Sequence, residues 1–312
     1  MYLVTGGAGF IGSQLAARLV AGGARVRVFD NFSTGSWDNL AAIAADIDVV
    51  EGDLRDEAAV RRATDGVTIV FHQAADASVP RSVVDPRTTY DVNVTGTLNV
   101  LLAARDSGCR RVVFASSCAV YGDDPALPKH EGMVPVPVSP YAASKLVGEV
   151  LCAVFTRTYG LETVALRYFN VFGPRQNPDS PYAAVIPRFL DALRRGESPV
   201  VYGDGEQTRD FVYVATVVEA NMRAAEAAGV AGRVFNVASG RPVSINEVLG
   251  KLAALLGAEA RAVYEPARAG DIRHSAADVR AAQTALGLVT HVSLEQGLMH
   301  SVAEGIPSLC NQ

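Results

Sequence analysis

The sequence predicts a doubly wound α/β fold, in which helices cover both faces of a parallel sheet, with a smaller α/β cap in the C-terminal half. The main observation is that short β-branched runs alternate with Ala- and Leu-rich helical stretches up to about Leu166. The predicted strands are Tyr2–Thr5, Arg25–Phe29, Ile47–Glu51, Ile69–His72, Arg111–Ala115 and Glu162–Arg167. The predicted helices between them are Ser13–Ala21, Glu57–Thr64, Val94–Ala104 and Tyr141–Thr158.

The second observation is that this alternation of strands and helices changes after Arg167. Three prolines between Gly173 and Tyr182 indicate an ordered loop or a domain boundary. A further helix is predicted at Pro187–Arg195, and Val234–Val237 is predicted to return to the main sheet as a late strand. We therefore expect residues 1–167, with a strand near 233–238, to form a Rossmann-type domain, and residues 168–232 and 239–312 to form the cap.

The composition excludes several function classes. The chain has 312 residues, 49% of them hydrophobic and 20% charged, with a formal net charge of −5, so we expect a globular protein that does not bind nucleic acid. None of the four cysteines has CxxC spacing and none of the five histidines has HxxxH or HExxH spacing, so no metal site is expected. No secretory signal and no apolar run of membrane-spanning length is visible, so we expect a cytoplasmic protein without a membrane partner.

A glycine-rich turn follows the first predicted strand. Gly6, Gly9 and Gly12 have GxxGxxG spacing in a segment that also contains Phe10 and Ile11 and opens the first helix. Glycines allow a tight turn and a close approach of the backbone to a pyrophosphate, and the helix N-terminus supplies free N–H groups and a partial positive charge. The motif by itself is equally compatible with a purely structural turn.

An acidic residue at the end of the second strand strengthens the case for a dinucleotide. Asp30 lies 18 residues beyond Gly12, where a carboxylate accepts hydrogen bonds from both ribose hydroxyls and repels a 2′-phosphate, so NAD is expected rather than NADP. The alternative is that Asp30 caps the following loop at Asn31. Asn93 begins or lies early in a later helix, and it is either a cap or buried amide or a catalytic support. Further candidates for cofactor contact follow the third and fourth strands: Asp53, Leu54, Ala74 and Ala75.

A second group of polar residues has the spacing of a catalytic site. Tyr141 and Lys145 lie four residues apart, which puts both side chains on one helical face. A phenol titrates near pH ~10, but a neighbouring ammonium and an oxidised nicotinamide both favour the phenolate, and the lysine can also hold the nicotinamide ribose. Ser116 and Ser117 follow the fifth strand at its carboxyl end, where a hydroxyl can hydrogen-bond a reacting oxygen.

Together these motifs resemble the extended short-chain dehydrogenase/reductases, in the nucleotide-sugar epimerase branch around UDP-glucose 4-epimerase. The resemblance covers nearly the whole chain, because further family motifs follow in order. The motifs are Thr5–Gly12, Asp30-Asn31, Asp53-Leu54, Ser116–Gly122, Tyr141–Lys145, Tyr168–Pro174, Gly203–Val212 and Arg268–Arg273. The resemblance implies NAD as a cofactor that stays bound through each turnover and a UDP-sugar as the substrate.

The resemblance also implies individual residue roles. By motif match, the catalytic residues are Ser117, Tyr141 and Lys145. The implied cofactor contacts are Gly6, Gly9, Phe10, Ile11, Gly12, Asp30, Asn31, Asp53, Leu54, Ala74, Ala75, Asn93, Tyr141, Lys145 and Tyr168. The implied substrate contacts are Ser117, Asn170, Val185, Arg209, Arg268, Asp271 and Ser275. In relatives the Asn and the two Arg residues bind the diphosphate, which suits a guanidinium fork, and the Asp binds the nucleotide ribose.

The two residues after Ser117 discriminate among the reactions of the family. Nucleotide-sugar 4,6-dehydratases and UDP-glucuronate decarboxylases carry an acid in this turn, whereas this chain has Cys118 and Ala119. The implied function is therefore that of an NAD-dependent UDP-hexose 4-epimerase, in which Tyr141 and Ser117 act on the C4 hydroxyl and C4 is inverted through a transient 4-keto sugar. A decarboxylase or dehydratase of the same family, and a non-catalytic NAD-binding regulator on the same fold, remain the alternatives.

The remaining expectations concern the sugar and the oligomer. Ser275 stands where relatives have a bulky tyrosine, which implies room for an N-acetyl group, so UDP-GlcNAc, UDP-GlcA and UDP-Glc are all candidate substrates. Arg188 or Arg273 is hypothesised to face a C6 carboxylate, and either could equally be a solvated surface residue. Relatives commonly dimerise through a four-helix bundle, so a homodimer through Val94–Ala104 and Ser144–Thr158 is expected unless their apolar faces are core.

Overall fold

The computed structural model describes residues 1–176, 184–267, 272–290 and 292–304. The first part of the chain contains β1 (Tyr2–Thr5), α1 (Phe10–Ala21), β2 (Val26–Asp30), β3 (Ile47–Glu51), α2 (Glu57–Thr64), β4 (Ile69–His72), α3 (Val79–Val84), α4 (Pro86–Tyr90), α5 (Gly96–Asp106), β5 (Arg111–Ser117), α6 (Pro140–Tyr159) and β6 (Glu162–Tyr168). The second part contains β7 (Asn170–Phe172), α7 (Val185–Arg194), β8 (Val200–Tyr202), β9 (Thr208–Tyr213), α8 (Val214–Glu226), β10 (Arg233–Val237), β11 (Pro242–Ser244), α9 (Ile245–Leu256), β12 (Val263–Glu265), α10 (Arg280–Leu286) and α11 (Leu294–Glu304).

Seven parallel strands form the main sheet, in the order β10-β6-β5-β4-β1-β2-β3. Its central strands are short apolar runs that are buried along most of their length, as is typical of a parallel sheet covered on both faces. The strand order reverses between β1 and β4, and in open α/β sheets ligands bind beyond the carboxyl ends of the strands at such a point. The predicted fold class is confirmed.

The carboxyl end of β5 is longer than the sequence predicts. The apolar run ends at Ala115, but Ser116 and Ser117 continue the strand and pair with Arg167 and Tyr168 of β6. Two serines after an apolar run have the composition of a loop, and only pairing with the neighbouring strand keeps them in the sheet. The extension puts Ser117 at the last position of β5, on the edge where ligands bind.

The segment between β4 and β5 contains two short helices that the sequence did not lead us to predict. α3 has six residues and α4 has five, which is too few to show a helical period. Only capping residues mark where the two helices begin. The side chains of Ser78 and Asp85 each accept a backbone N–H of the first turn, and a proline lies in that turn. A π-helical turn over Asp91–Thr95 leads into α5, so the helix predicted to start at Val94 starts at Gly96.

Helices cover both faces of the main sheet. α1 and α8 pack on one face in an apolar cluster that includes Val4 and Val217, whereas α2, α5 and α6 pack on the other face with Leu3 and Phe155. α8 lies in the segment that we assigned to the cap from the sequence, yet it contacts α1, β5 and β6. The helix layer of the main sheet therefore includes one helix from the range 168–232.

The cap is built on small sheets and on α7, α9 and α11. β9 pairs with β11 and β7, and β12 pairs with β8. The three helices pack around a separate apolar cluster that includes Phe172, Phe211 and Leu249. β9 runs directly into α8, so the cap joins the helix layer of the main sheet without a linker. Within the described ranges, no helix has the length and apolar character needed to cross a bilayer.

Gly148 lies on the side of α6 that packs against β5. A Cβ atom at this position would be 2.3 Å from a ring carbon of Phe114, so the helix can approach the strand this closely only with glycine. We expect Gly148→Ala to lower the free energy of unfolding by about 1–3 kcal/mol through overpacking, although alanine is the better helix former by about 1 kcal/mol. Urea denaturation of the two proteins measures the difference.

Gly250→Ala, on the exposed side of α9, is the matched control. No heavy atom lies within 4 Å of the Cβ position there. The substitution should therefore raise the free energy of unfolding by up to about 1 kcal/mol through helix propensity alone. Shifts of the same sign in both variants would contradict a tight contact between Gly148 and Phe114.

Candidate active site

The glycine-rich turn is packed against the end of β4. Gly6 has a φ of +66°, and a Cβ atom there would be 2.7 Å from the backbone of Ala74. A Cβ atom at Gly12 would be 2.1 Å from the carbonyl oxygen of Gly6, so neither position accepts a larger residue. α1 begins after Gly9, which leaves the free N–H groups of its first turn at a cleft. The turn contributes Gly6, Gly9, Phe10, Ile11 and Gly12 to the lining of this cleft.

Asp30 ends β2 and lines the same cleft. One carboxylate oxygen accepts the backbone N–H of Ala8 at 2.9 Å, and the other accepts the N–H of Phe32 at 2.9 Å. Each oxygen keeps lone-pair capacity for a further donor, so Asp30 fits a pair of ribose hydroxyls while it also holds the glycine-rich turn. The turn and this carboxylate together fit a dinucleotide without a 2′-phosphate.

Asn31, Asp53 and Leu54 line the neighbouring part of the cleft. The Asn31 amide donates to Asp53 at 2.9 Å, and the guanidinium of Arg55 binds both oxygens of the same carboxylate. These hydrogen bonds, above all those from Arg55, hold the pKa of Asp53 well below its usual range. Asp53 is therefore ionised and held in one orientation at the edge of the cleft. At the end of β4, Ala74 and Ala75 also line the cleft.

The carboxyl edge of the sheet brings Ser117, Tyr141 and Lys145 together. Ser117 ends β5, and α6 carries Tyr141 and Lys145 to the same edge. The Ser117 hydroxyl is close enough to the Tyr141 phenol for hydrogen bonding to lower the pKa of the phenol. The Lys145 ammonium nitrogen is 5.9 Å from the centre of the Tyr141 ring, and it donates to the carbonyl oxygen of Ala115 at 2.8 Å.

Burial shifts the pKa values of Tyr141 and Lys145 in opposite directions, and each shift favours the neutral form of the side chain. Burial raises the pKa of Tyr141 to about 12, with Cys118 and Asp76 acting in the same direction and the hydrogen bond with Ser117 opposing them. Burial lowers the pKa of Lys145 to about 8. We expected the lysine to favour the phenolate, but in the protein alone desolvation is the larger effect and Tyr141 remains a phenol at neutral pH.

The two serines at the end of β5 have different surroundings. Ser116 is buried and its hydroxyl donates to the carboxylate of Glu149 at 2.5 Å. Ser117 is partly exposed, and its oxygen accepts the backbone N–H of Ala119 at 3.2 Å. Ser116 contributes to the lining of the dinucleotide cleft, whereas Ser117 lies outside this lining and caps the helical turn Cys118–Tyr121.

Asn93 is a buried amide with protein partners. Its oxygen accepts the backbone N–H of Asp76 at 2.7 Å, and its nitrogen donates to the carbonyl oxygen of Asp76 and to the hydroxyl of Ser144. The side chain lies outside the lining of the cleft. Of the two interpretations of Asn93, the structure therefore favours the buried amide, which fixes the chain after β4 against α6.

Several polar residues near the cleft were not identified from the sequence. Tyr168 lines the cleft as expected, but its hydroxyl is held by Gln73 at 3.1 Å and by Asn221 at 2.8 Å. Asp76 also lines the cleft and forms a salt bridge of 2.7 Å with Arg81. Gln73 directly follows β4 and Asp76 lies four residues beyond its end, so their position after a buried parallel strand was the available signal.

A second pocket lies in the cap. Asn170, Val185 and Arg209 line it, as the motif match implied. Burial raises the pKa of the Cys118 thiol to about 12, and the positive charge of Arg209 acts in the opposite direction. The guanidinium of Arg209 therefore lies near the turn that follows Ser117, so the cap pocket and the reactive edge of the sheet adjoin each other.

The other predicted substrate residues have different positions. Ser275 lies outside the lining of the cap pocket, and its backbone N–H donates to the carbonyl oxygen of Thr208 at 3.1 Å. Arg188 lines the pocket, whereas Arg273 forms an exposed bidentate ion pair with Asp204 at 2.7 and 2.8 Å. Arg268 and Asp271 lie outside the described residues.

Comparison with known proteins matches residues 2–238 to the NAD dependent epimerase/dehydratase family. The chain belongs to this family. A UDP-glucose 4-epimerase of Mycolicibacterium smegmatis is 41% identical over 96% of both chains. The structure is similar to that of a UDP-N-acetylglucosamine 4-epimerase from Methanobrevibacter ruminantium in complex with UDP-N-acetylmuramic acid, with a TM-score of 0.93, 40% identity and 97% of both chains covered. It is also similar to a UDP-glucose 4-epimerase from Thermus thermophilus in complex with NAD, with a TM-score of 0.89, 37% identity, and 97% of this chain and 98% of that chain covered.

Membership of the epimerase/dehydratase family confirms two expectations drawn from the sequence. The resemblance to nucleotide-sugar epimerases holds over nearly the whole length, since the similar proteins extend beyond residue 238 into the cap. NAD is confirmed as the cofactor, because the family is NAD dependent and the cleft at the end of β2 carries the carboxylate that fits it.

The buried charge of Lys145 lowers the stability of this family member below pH 8. The folded pKa of about 8 lies below the ordinary value of 10.5, so between these values the unfolded chain binds one more proton and stability rises with pH. We expect Lys145→Met to remove this rise and to raise the free energy of unfolding at pH 7 by up to about 3 kcal/mol. Urea denaturation at pH 7 to 10 measures both effects.

The difference between the free energies of unfolding of wild type and variant at each pH removes the contribution of groups distant from Lys145, which titrate alike in both proteins. Lys251→Met, at a partly exposed position of α9 in the cap, is the matched control. Hydrogen bonds with Glu295 and Glu247 raise the pKa of Lys251, so its loss should lower stability slightly at pH 7. Equal pH dependence of wild type and Lys145→Met would contradict a lysine with a lowered pKa.

Proposed function

We propose that the protein is an NAD-dependent UDP-hexose 4-epimerase, an isomerase that inverts C4 of a UDP-linked sugar. The observation that carries the proposal is the convergence of Ser117, Tyr141 and Lys145 at one edge of the dinucleotide cleft. Burying a phenol or an ammonium group costs free energy, so such groups are typically found where they serve a function. Binding of NAD alone would not require both groups at this edge.

The cofactor contacts follow from the lining of the cleft. Gly6, Gly9 and Gly12 let the pyrophosphate approach the N-terminus of α1, and Asp30 accepts the ribose hydroxyls. The same lining supplies the other proposed contacts, which are Phe10, Ile11, Asn31, Asp53, Leu54, Ala74, Ala75, Tyr141, Lys145 and Tyr168. Asn93 is proposed to act indirectly. Its amide is hydrogen-bonded to Asp76 and Ser144, so it fixes the segment after β4, which lines the cleft.

Tyr141 is the proposed base and acid. Its phenolic oxygen removes the proton of the C4 hydroxyl while Ser117 holds the same substrate oxygen, and the proton returns to that oxygen at the end. When bound, NAD accepts the hydrogen of C4 with its bonding electrons and returns it to the opposite face of the keto sugar, so no net oxidation occurs. Lys145 holds the nicotinamide ribose and places a positive charge beside the phenol.

The turn after Ser117 disfavours the other reactions of the family. Burial raises the pKa of Cys118 to about 12, so this residue remains a thiol at neutral pH. Ala119 has no titratable group. Elimination of water across C5 and C6 needs a positioned acid and base, and neither residue supplies a carboxyl group for this purpose.

The cap pocket is the proposed site of the UDP moiety. Arg209 and Asn170 are the proposed diphosphate contacts, because a guanidinium fork and an amide both donate to phosphate oxygens. Arg188 lines the same pocket and is the better candidate for a C6 carboxylate, since Arg273 is paired with Asp204. The proposed set is completed by Val185, Arg268 and Asp271, whereas Ser275 lies outside the lining of this pocket. The proposed sugars are glucose, N-acetylglucosamine and glucuronate.

A homodimer is the proposed assembly. α6 carries an exposed apolar stripe of Val147, Val150 and Val154, which are 38%, 55% and 45% exposed. Val83 of α3 and Tyr90 of α4 are also exposed, and both helices pack beside α6. A contiguous apolar surface of this kind is typical of a protein interface rather than of a monomer. The α6 stripe therefore supports the contact through Ser144–Thr158 that the family resemblance implies.

The test of the epimerase proposal is a panel of UDP-glucose, UDP-N-acetylglucosamine and UDP-glucuronate carrying deuterium at C4. We expect at least one to be converted to its C4 epimer with the deuterium retained, because the hydrogen never exchanges with solvent. Tyr141→Phe should lower kcat by roughly 10³-fold and leave NAD bound, since it removes the proton acceptor and keeps the ring. Separation of the product sugars and mass analysis measure both.

Tyr159→Phe is the control for this substitution. It removes a hydroxyl from an exposed tyrosine at the other end of α6, so turnover should be unchanged. Absence of C4 inversion with every sugar would overturn the proposal. Loss of the C4 deuterium during conversion would instead indicate deprotonation at carbon and exclude the redox route.

The dimer proposal predicts that a charge in the α6 stripe separates the subunits. Val150→Glu would bury a carboxylate at the interface, so we expect the dimer dissociation constant to rise by roughly 100-fold or more. Val263→Glu, at an exposed position of β12 in the cap, should leave the assembly unchanged. Sedimentation velocity over a range of protein concentrations distinguishes the two. A monomeric wild type, or equal behaviour of both variants, would show that this face is not the interface.

A further inference from the structure

A buried polar cluster lies directly behind the reactive edge. It consists of Ser116, Glu149 and Arg167, and we call it the buried anchor. The Ser116 hydroxyl donates to one oxygen of Glu149 at 2.5 Å, and Arg167 binds both oxygens of that carboxylate at 2.8 and 2.7 Å. All three side chains are almost completely buried, so their bonds do not exchange with water.

Arg167 holds the carboxylate of Glu149 together with Ser116. Its guanidinium carbon is 4.7 Å from the centre of the Tyr121 ring, and the Tyr121 hydroxyl donates to Asn236 at 2.7 Å. One guanidinium nitrogen of Arg167 is buried without a hydrogen-bond partner. A cation held in this way by an ion pair and an aromatic face has no alternative position, so Glu149 is rigid.

The buried anchor connects the helix and the strand that carry the reactive groups. Tyr141, Lys145 and Glu149 follow each other at intervals of four residues along α6, and therefore lie along one side of the helix. Lys145 bonds to the carbonyl oxygen of Ala115, and Glu149 bonds to the side chain of Ser116. α6 is thus tied to two consecutive residues at the carboxyl end of β5.

We infer that Ser116, held by Glu149 and Arg167, is a positioning residue that sets the contact between Ser117 and Tyr141. Successive side chains of a strand point to opposite sides, so fixing Ser116 toward Glu149 also fixes the direction of Ser117. Pairing with Tyr168 keeps Ser117 in the sheet, so the bond between Ser116 and Glu149 acts on the distance between the end of β5 and α6, and hence on the contact of Ser117 with the phenol. The inference rests on the proposed function, because it assigns Ser116 a part in the proton transfer by Tyr141.

The competing explanation is that the anchor only stabilises the fold, and Thr163 provides a control for it. Thr163 is a buried residue of β6, and its hydroxyl donates to the backbone carbonyl of Cys152 in α6 at 2.9 Å. Thr163→Val and Ser116→Ala each remove one buried hydroxyl between a strand and α6. Only Ser116 is adjacent to Ser117, so a purely structural role makes the two variants equivalent. Variants of Glu149 are avoided, because they leave the Arg167 cation buried and unpaired.

We expect Ser116→Ala to lower kcat by roughly 10-fold or more with little change in KM, since the substrate still binds while the proton acceptor is displaced. Hydrogen bonding with Ser117 lowers the pKa of Tyr141, so its loss should move the acid limb of the kcat/KM profile to higher pH. Thr163→Val should retain kcat and the pH profile. Ultraviolet titration of Tyr141 in the NAD-bound protein, by difference with Tyr141→Phe, reports the same pKa change without turnover.

Activity of Ser116→Ala within about twofold of wild type, or an unchanged pKa of Tyr141, would overturn the inference. A loss of kcat of equal size in Thr163→Val would do the same, because it would show a general effect of α6 stability. Failure of the wild type to invert any sugar counts against the proposed function alone. In that case the titration of Tyr141 still decides whether Ser116 positions the phenol.

Discussion

The position of α6 on β5 is the constraint on which the rest of the site depends. The helix lies so close to the strand that there is no room for a methyl group between Gly148 and Phe114. Lys145 and Glu149 then bond to neighbouring residues of β5. Close-packed side chains cannot slide past each other without losing contacts, so the helix has one register on the strand. The contact between α6 and β5 therefore determines where Tyr141 lies beyond the end of β5.

The same close approach controls the electrostatics of the site. Water is excluded between α6 and β5, so the pKa of Tyr141 is raised and that of Lys145 is lowered. The protein alone holds a neutral phenol, which is a weak proton acceptor. A bound oxidised nicotinamide carries a positive charge, which favours the phenolate in a region of low dielectric constant. For the proposed mechanism, it follows that Tyr141 would act as a base only when the cleft next to Asp30 is filled, which would couple proton transfer to cofactor binding.

Features determined by local sequence were predictable, and features determined by distant partners were not. The strands of the main sheet, the turn at Gly6 and the spacing of Tyr141 and Lys145 depend on neighbouring residues, and the sequence predicts each of them. The extension of β5 requires pairing with β6, and the pairing of Arg273 requires Asp204, which lies 69 residues away. Which of two adjacent serines is buried likewise depends on Glu149, 33 residues along the chain. Periodicity and spacing contain no information about such pairs.

The position of the cap relative to the edge of the sheet that carries Ser117 depends on how the chain passes from the main sheet into the cap and back. β7 follows β6 after a single residue, and β9 runs directly into α8, which packs on the main sheet. β7 and β9 also pair with each other, so both crossings belong to one small sheet. Hinge motion needs a few residues that can absorb a change in backbone angles, and these two crossings offer almost none. The two crossings therefore restrict how far Arg209 on β9 can move relative to the main sheet. A change of sugar specificity in the proposed enzyme would then require different side chains in the cap pocket, such as Arg188, rather than a different position of the cap.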